Sequence, residues 1–245
     1  HGLQVYISDS AKGPWTHHKI NGDIYDLSVL FDEDGKIYAV HKYGNVTVTE
    51  LKPDLSGPVE GSSKVVIPEG NAMGEGHHVY KLNGMYYILS ADYSPMGRMQ
   101  CARSKNIWGP YETCVISERE SYGYAAGWSV GNMGIGRPLP EDGFRFQNNQ
   151  PNGVNLGCAT IHQGGIVQAP DGKWWGVSMQ DFNAVGRTVC LSPVTWVDGW
   201  PYFGLEKNLG RSPRTWFKPN DAVKTPQAPY DRCDDFSGKT FKPVW

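Results

Sequence analysis

The stretch 74–90, GEGHHVYKLNGMYYILS, decides the fold. Its Asn83-Gly84 pair separates two runs rich in aromatic and β-branched residues. Such a pair predicts a tight β-hairpin, because both central residues of that turn need a left-handed backbone. The same form recurs on either side. DLSVLFDEDGKIYAV (26–40) turns at Gly35, and IHQGGIVQAPDGKWWGV (161–177) turns at Gly172. No long window has apolar residues at i, i+3, i+4 and i+7, so amphipathic helices are not expected. The class read from these segments is all-β.

The hairpins repeat. The turn glycines at 35 and 84 lie 49 residues apart, and those at 84 and 172 lie 88 apart. The longer interval holds a Gly/Pro/Asn-rich stretch, 131–157, read as an inserted loop. A second element follows: GPW at 13–15, GPY at 109–111 and DGW at 198–200, trailing the turn glycine by 25 residues in one repeat and 26 in another. A period near 50 built from strand pairs predicts a β-propeller with four strands per blade. The expected blades are 23–68, 69–120 and 158–205, with part of one at 1–22. The turn that should precede GPW would fall before residue 1. The propeller is therefore expected to be incomplete at the N-terminus, and a separate N-terminal polypeptide completing it is the expected partner. The domain reading is a partial propeller catalytic domain at 1–205, a Pro- and Arg-rich linker wrapping it at 206–232, and the beginning of a C-terminal β-sandwich at 233–245.

Composition narrows the function. Charged residues are 20% and the net charge is −2, which excludes a basic nucleic-acid surface. No apolar stretch approaches the length of a membrane span. Five cysteines without a C-x-x-C pair speak against a zinc ribbon or a thioredoxin-type site, and read as small core residues. The aromatic share, 12%, suits ligands with flat apolar faces, sugars among them. The compartment is left open, with a secreted or periplasmic location favoured over a cytoplasmic one.

The chemistry sits at one register. Asp26 stands nine residues before Gly35, and Glu75 nine before Gly84. Gln163 and His162 stand nine and ten before Gly172. These are equivalent positions at the start of each first strand, and in a propeller the first strands line the axis. Two carboxylates at one sugar-sized opening are the equipment of glycoside hydrolysis. One of them must hold a proton for the leaving oxygen, and burial or a like charge keeps it there. Glu75 has the reach of a proton donor, and Asp26 would orient it. Trp128, Phe182 and Tyr25 are candidates for the sugar platform. Trp174, Trp175, Tyr86 and Tyr87 are expected to pack between blades.

Four segments, DLSVLFDEDGKIYAV, GEGHHVYKLNGMYYILSA, IHQGGIVQAPDGKWWGV and GRTVCLSPVTWVDGWPYF, in this order resemble glycoside hydrolase family 43. The resemblance implies a five-bladed propeller enzyme acting on xylosides and arabinofuranosides with inversion at the anomeric centre. It implies that Glu75 is the general acid and that Asp26 tunes and positions it. It makes Arg187 a contact to substrate hydroxyls, with Gln163 beside it in substrate binding. His162 would be a channel histidine near bound calcium or water, so calcium in the central channel is the one metal considered and no cofactor is otherwise required. His78 matches the histidine of an EGPH-type motif, but His77 stands where that motif has proline. The general base, a first-blade aspartate, has no matching segment and is expected outside this chain. Asp23 and Asp32 are the substitutes, and neither holds the register of Asp26. DDFSG resembles the entry into a β-sandwich. The function read is an inverting exo-glycosidase of hemicellulose that takes xylo- or arabino-oligosaccharides, with β-xyloside and α-L-arabinofuranoside both open. The alternative is a carbohydrate-binding propeller without catalysis.

Overall fold

The structure, a computed structural model, describes residues 3–20, 24–71, 73–93, 96–117, 162–181, 187–207 and 209–210. The chain divides into two compact units, His1–Pro213 and Arg214–Trp245. The second unit lies outside the described residues, as do the loop expected at 131–157, most of the linker expected at 206–232, and the sandwich start expected at 233–245.

The described residues form strands and no helix, and so contain no helix that could cross a membrane. The first two strands, β1 (Leu3–Ile7) and β2 (Thr16–Ile20), make a two-stranded sheet. Three four-stranded antiparallel meanders follow. The first is β3 (Ser28–Phe31), β4 (Ile37–His41), β5 (Val46–Leu51) and β6 (Lys64–Ile67). Next come β7 (Glu75–Leu82), β8 (Met85–Tyr93), β9 (Met96–Ser104) and β10 (Glu112–Ser117). The last holds β11 (His162–Gln168), β12 (Trp174–Asp181), β13 (Arg187–Val197) and β14 (Trp200–Phe203). Each sheet falls within one of the repeats expected from the turn glycines. Those glycines do what the spacing requires. Gly35, Gly84 and Gly172 all take positive φ, at 82°, 75° and 83°, a region other L-residues enter at a cost.

The period-two alternation of the strands decides how the sheets stack. On β8, Tyr86 and Ile88 turn to one face, where they meet Tyr38, Val40 and Val48 of the preceding sheet. Tyr87 and Leu89 turn to the other face and meet Ile166, Val194 and Phe203 of the following sheet. The second meander, β7–β10, is thus buried on both faces. Ile88 and Leu89 have no exposed surface, and burial of such side chains stabilises the fold by roughly 2 kcal/mol each. Phe203 reaches its place because Gly176 has no Cβ, since a methyl there would lie on the phenyl ring. Toward the outer edge, the Arg103 guanidinium bonds Glu112 at 2.6 Å and the Asp198 carbonyl at 2.6 Å, and stacks over Trp200. This ties β9 of one sheet to the β13–β14 turn of the next.

Asp32 ends β3 on the side away from the strand starts. Its side chain is buried, and it accepts from the Lys81 ammonium at 2.5 Å and the Tyr86 hydroxyl at 2.6 Å. Burial pushes this carboxyl up, but Lys81, Tyr86 and the Glu33 amide outweigh burial and bring it below the usual carboxylate value. A carboxyl depressed in the folded state contributes stability above its unfolded pKa, about 3.9, and loses it as pH falls through and below that value. Asp32→Asn, which leaves Lys81 with the exposed Glu33 carboxylate at 3.2 Å, is expected to lower stability by about 1–3 kcal/mol at pH 7 in urea unfolding. The gap to the parent chain should narrow as pH is taken from 5 to about 3.

Candidate active site

The starts of the first strands of the three meanders lie side by side. The Val79 amide of β7 donates to Ser28 Oγ of β3 at 3.1 Å, and the Ile166 amide of β11 donates to the Tyr80 hydroxyl of β7 at 2.9 Å. At this end the regular ladder gives way. On β7, Glu75 pairs with Ala91 and His78 with Leu89, so that Gly76 and His77 together face Ser90. On β11, His162 pairs with Met179 and Gly165 with Val177, so that Gln163 and Gly164 together face Ser178. Each is a β-bulge, the device that re-aims side chains next to active sites. Each bulge holds a left-handed residue, Gly76 at φ 65° and Gln163 at φ 48°. Asp26, just before β3, is left-handed too, at φ 54°.

The kinks bring the register-matched residues together. The Gly76 amide donates to Asp26 Oδ2 at 3.0 Å, so the Asp26 carboxylate rests on the residue next to Glu75. Glu75 accepts from Gln163 Nε2 through Oε1 at 2.7 Å and from the Tyr25 hydroxyl through Oε2 at 3.2 Å. The Glu75 charge and its hydrogen bond, followed by the Asp26 charge, raise the pKa of Tyr25, so its hydroxyl stays protonated. Tyr25 is itself half exposed, with its ring at the surface beside the acids. Gln163 comes close because position 76 is glycine. A Cβ there would stand 2.7 Å from Gln163 Cγ.

A cleft of ≈ 390 Å³ runs from Gln163 past His78 and Tyr80, over the Gly164-Gly165 pair, to Val177 and Val189. It touches the acids only through Gln163, and neither Asp26 nor Glu75 lines it. The carboxylates, rather than the cleft, therefore define the site. His78 is exposed on the cleft side, yet desolvation by its neighbours lowers its pKa.

The other sequence candidates are placed only in part. His162 opens β11 opposite Met179, and Arg187 opens β13 opposite Asp181. Their side chains lie outside the described residues, as do Phe182, Trp128 and Asp23. Among the described residues, no group of three His, Cys, Asp or Glu could hold a metal ion. Asp32 stands at the opposite end of β3 from Asp26, about 20 Å of strand away, with its carboxylate committed to Lys81 and Tyr86. The sequence did not disclose that Gly76 is the contact between the acids. The only signal was a glycine directly after Glu75.

The stacked antiparallel meanders thus set Asp26 and Glu75 at neighbouring strand starts. The model of glycosyl hydrolases family 43 matches residues 1–124, half of the chain. The chain belongs to that family. It is 29% identical to a β-xylosidase of Formosa agariphila over all of this chain and 42% of that protein. It is 30% identical to a non-reducing end α-L-arabinofuranosidase of Bacteroides ovatus over 89% of this chain and 38% of that protein. A solved structure of a bifunctional GH43-CE protein of Bacteroides eggerthii superposes with a TM-score of 0.66 at 30% identity, covering 91% of this chain and 25% of that one. The chain thus spans about two fifths of the length of these curated relatives.

Gly76→Ala is expected to cost about 1–3 kcal/mol in urea unfolding, from the left-handed backbone and the displaced Gln163. A methyl tolerated without loss of stability would mean that the bulge relaxes and that Gln163 does not sit against it.

Proposed function

We propose that this chain forms most of the catalytic domain of an inverting exo-glycosidase that cleaves β-xylosides or α-L-arabinofuranosides of hemicellulose. The observation that supports it most is the Gly76 amide holding Asp26 beside Glu75, with Glu75 gripped from both neighbouring sheets. The relatives named β-xylosidase and α-L-arabinofuranosidase supply the substrate class. In this reading the meanders are blades of a five-bladed propeller, and a β-sandwich begins at 233–245 after the linker at 206–232. A separate N-terminal polypeptide receives no support from the relatives, each of which is a single longer chain.

Glu75 is the general acid. Its Oε1 is held at 2.7 Å by the Gln163 amide and keeps the carboxyl in place. Its Oε2 meets the exposed Tyr25 hydroxyl, at 3.2 Å, and carries the proton to the glycosidic oxygen. A phenol both donates and accepts, so Tyr25 can turn to accept from Oε2 while that oxygen is protonated. Asp26 fixes the strand start at Gly76 and places a like charge near the donor. A water attacks the opposite face of the sugar, activated by an aspartate outside residues 1–245. Inversion with one water between requires acid and base roughly 6.5–9.5 Å apart. Tyr25, Trp128 and Phe182 form the platform for the ring. Arg187 and Gln163 Oε1 meet its hydroxyls. His162 is the residue assigned to a channel calcium or water, and no step of the reaction passes through a metal.

The test is Glu75→Gln in the complete protein. The fold is expected to stay intact by thermal melting, while hydrolysis of substrates with poor leaving groups falls about 10²–10⁴-fold. An unchanged rate would remove the assignment. Calorimetric binding of xylo- or arabino-oligosaccharides with no sugar released by the parent protein would instead favour a carbohydrate-binding propeller.

A further inference from the structure

His77 stands where the motif it resembles carries proline, and its ring is almost wholly buried, with 2% of the residue exposed. Both nitrogens are engaged. Nε2 lies 2.7 Å from the Lys42 carbonyl, and Nδ1 lies 2.5 Å from Ser90 Oγ. A carbonyl only accepts, so Nε2 carries the hydrogen and Nδ1 accepts from the Ser90 hydroxyl. Lys42 sits just after β4 in a left-handed conformation, φ 86°, and its amide donates to the Tyr25 carbonyl at 2.9 Å. These bonds close a circuit. It runs from His77 to Lys42, from Lys42 to Tyr25, along the peptide to Asp26, and from the Asp26 carboxylate back to the Gly76 amide, the neighbour of His77.

The fourth sheet shows what the same bulge looks like without the ring. There Gly164 occupies the place of His77, facing Ser178 as His77 faces Ser90. Among the described residues, Ser178 Oγ is buried without a hydrogen bond, whereas Ser90 Oγ is satisfied by His77. The ring is therefore an addition particular to the bulge that carries Glu75. The titratable groups near it are Asp26, from the segment before β3, and His78, next on β7, while Lys42 meets it through the carbonyl. Burial lowers its pKa to about 4, so the ring stays neutral and the circuit holds at ordinary pH.

We propose that His77 is a positioning residue that sets Asp26 and Tyr25 against Glu75 through the Lys42 carbonyl. The inference rests on the reading of Glu75 as the general acid. The Nε2–Lys42 bond spans 35 positions, and with the bond from the Gly76 amide to Asp26, which spans 50, it closes the circuit. Without the Nε2–Lys42 bond, the Tyr25-Asp26 step keeps its direct bonds to Gly76 and Glu75 but loses the backbone brace through Lys42 that fixes their alignment. A misplacement of about 1 Å at reacting groups costs on the order of 10² in rate.

The test compares His77→Gln with His77→Asn in the complete protein, assayed below both melting points. A glutamine amide reaches the position of Nε2 and keeps the donor to Lys42. An asparagine reaches only the position of Nδ1. The expected result is a kcat within about threefold of the parent for His77→Gln and about tenfold or more below it for His77→Asn, with KM little changed in both. Equal kcat for the two folded variants overturns the proposal. Should His77→Asn not fold, Ser90→Ala loosens the other side of the ring. A fall of about tenfold in kcat at constant KM then supports the role, and a parental kcat overturns it. Glu75→Gln run in parallel separates the two readings. If it leaves the rate intact, the general-acid assignment fails. If it abolishes the rate while His77→Asn behaves as the parent, only the positioning role falls.

Discussion

The hydrogen bond from the Gly76 amide to Asp26 Oδ2 is the contact on which the site depends. It joins two sheets at the starts of their first strands and sets two acids 49 residues apart in sequence beside each other. It exists because the ladder of β7 is interrupted there. In an unbroken antiparallel strand, that amide would be aimed along the sheet rather than across to the neighbouring one. The bulge needs a residue that accepts φ 65° and leaves room for Gln163, and glycine alone meets both conditions without strain.

The same economy separates packing from chemistry along each strand. Farther from the bulges, alternation sends Tyr86 and Ile88 to one neighbour and Tyr87 and Leu89 to the other, and the two apolar layers hold the sheets in chain order. At the strand starts the alternation is broken and polar side chains turn to each other. Left-handed Asp26, Lys42 and Gln163 cluster in this one region. Such conformations persist only when the surroundings over-determine them, and here the surroundings are cross-sheet hydrogen bonds.

Buried polar groups in the chain divide by what they join. Asp32, Lys81 and Tyr86 fasten two sheets at the far end of β3, where the carboxylate has no open surface and is spent on its partners. His77 and Ser90 fasten the same two sheets at the near end, beside the acids. An aspartate in the first position is a structural ion and a histidine in the second is part of a site. Residue type says less about role than which end of the strand it occupies.

Much of this was legible along the chain. Turn glycines, alternation and the 49-residue spacing determined the hairpins, the extent of each four-stranded sheet and the register that pairs Asp26, Glu75 and Gln163, because turn chemistry and side-chain period are local properties. The sandwich start, Trp128 and Phe182 fall outside the described residues. What only the tertiary structure decided was direction. That Gln163 spends its amide on Glu75, that Tyr25 gives its hydroxyl to the same acid, and that His77 reaches back to Lys42 all depend on bulges and left-handed residues facing one another across separate sheets. A sequence records which residues can enter such conformations. Which of them meet is settled when the sheets stack, because the partners are brought together by packing rather than by spacing.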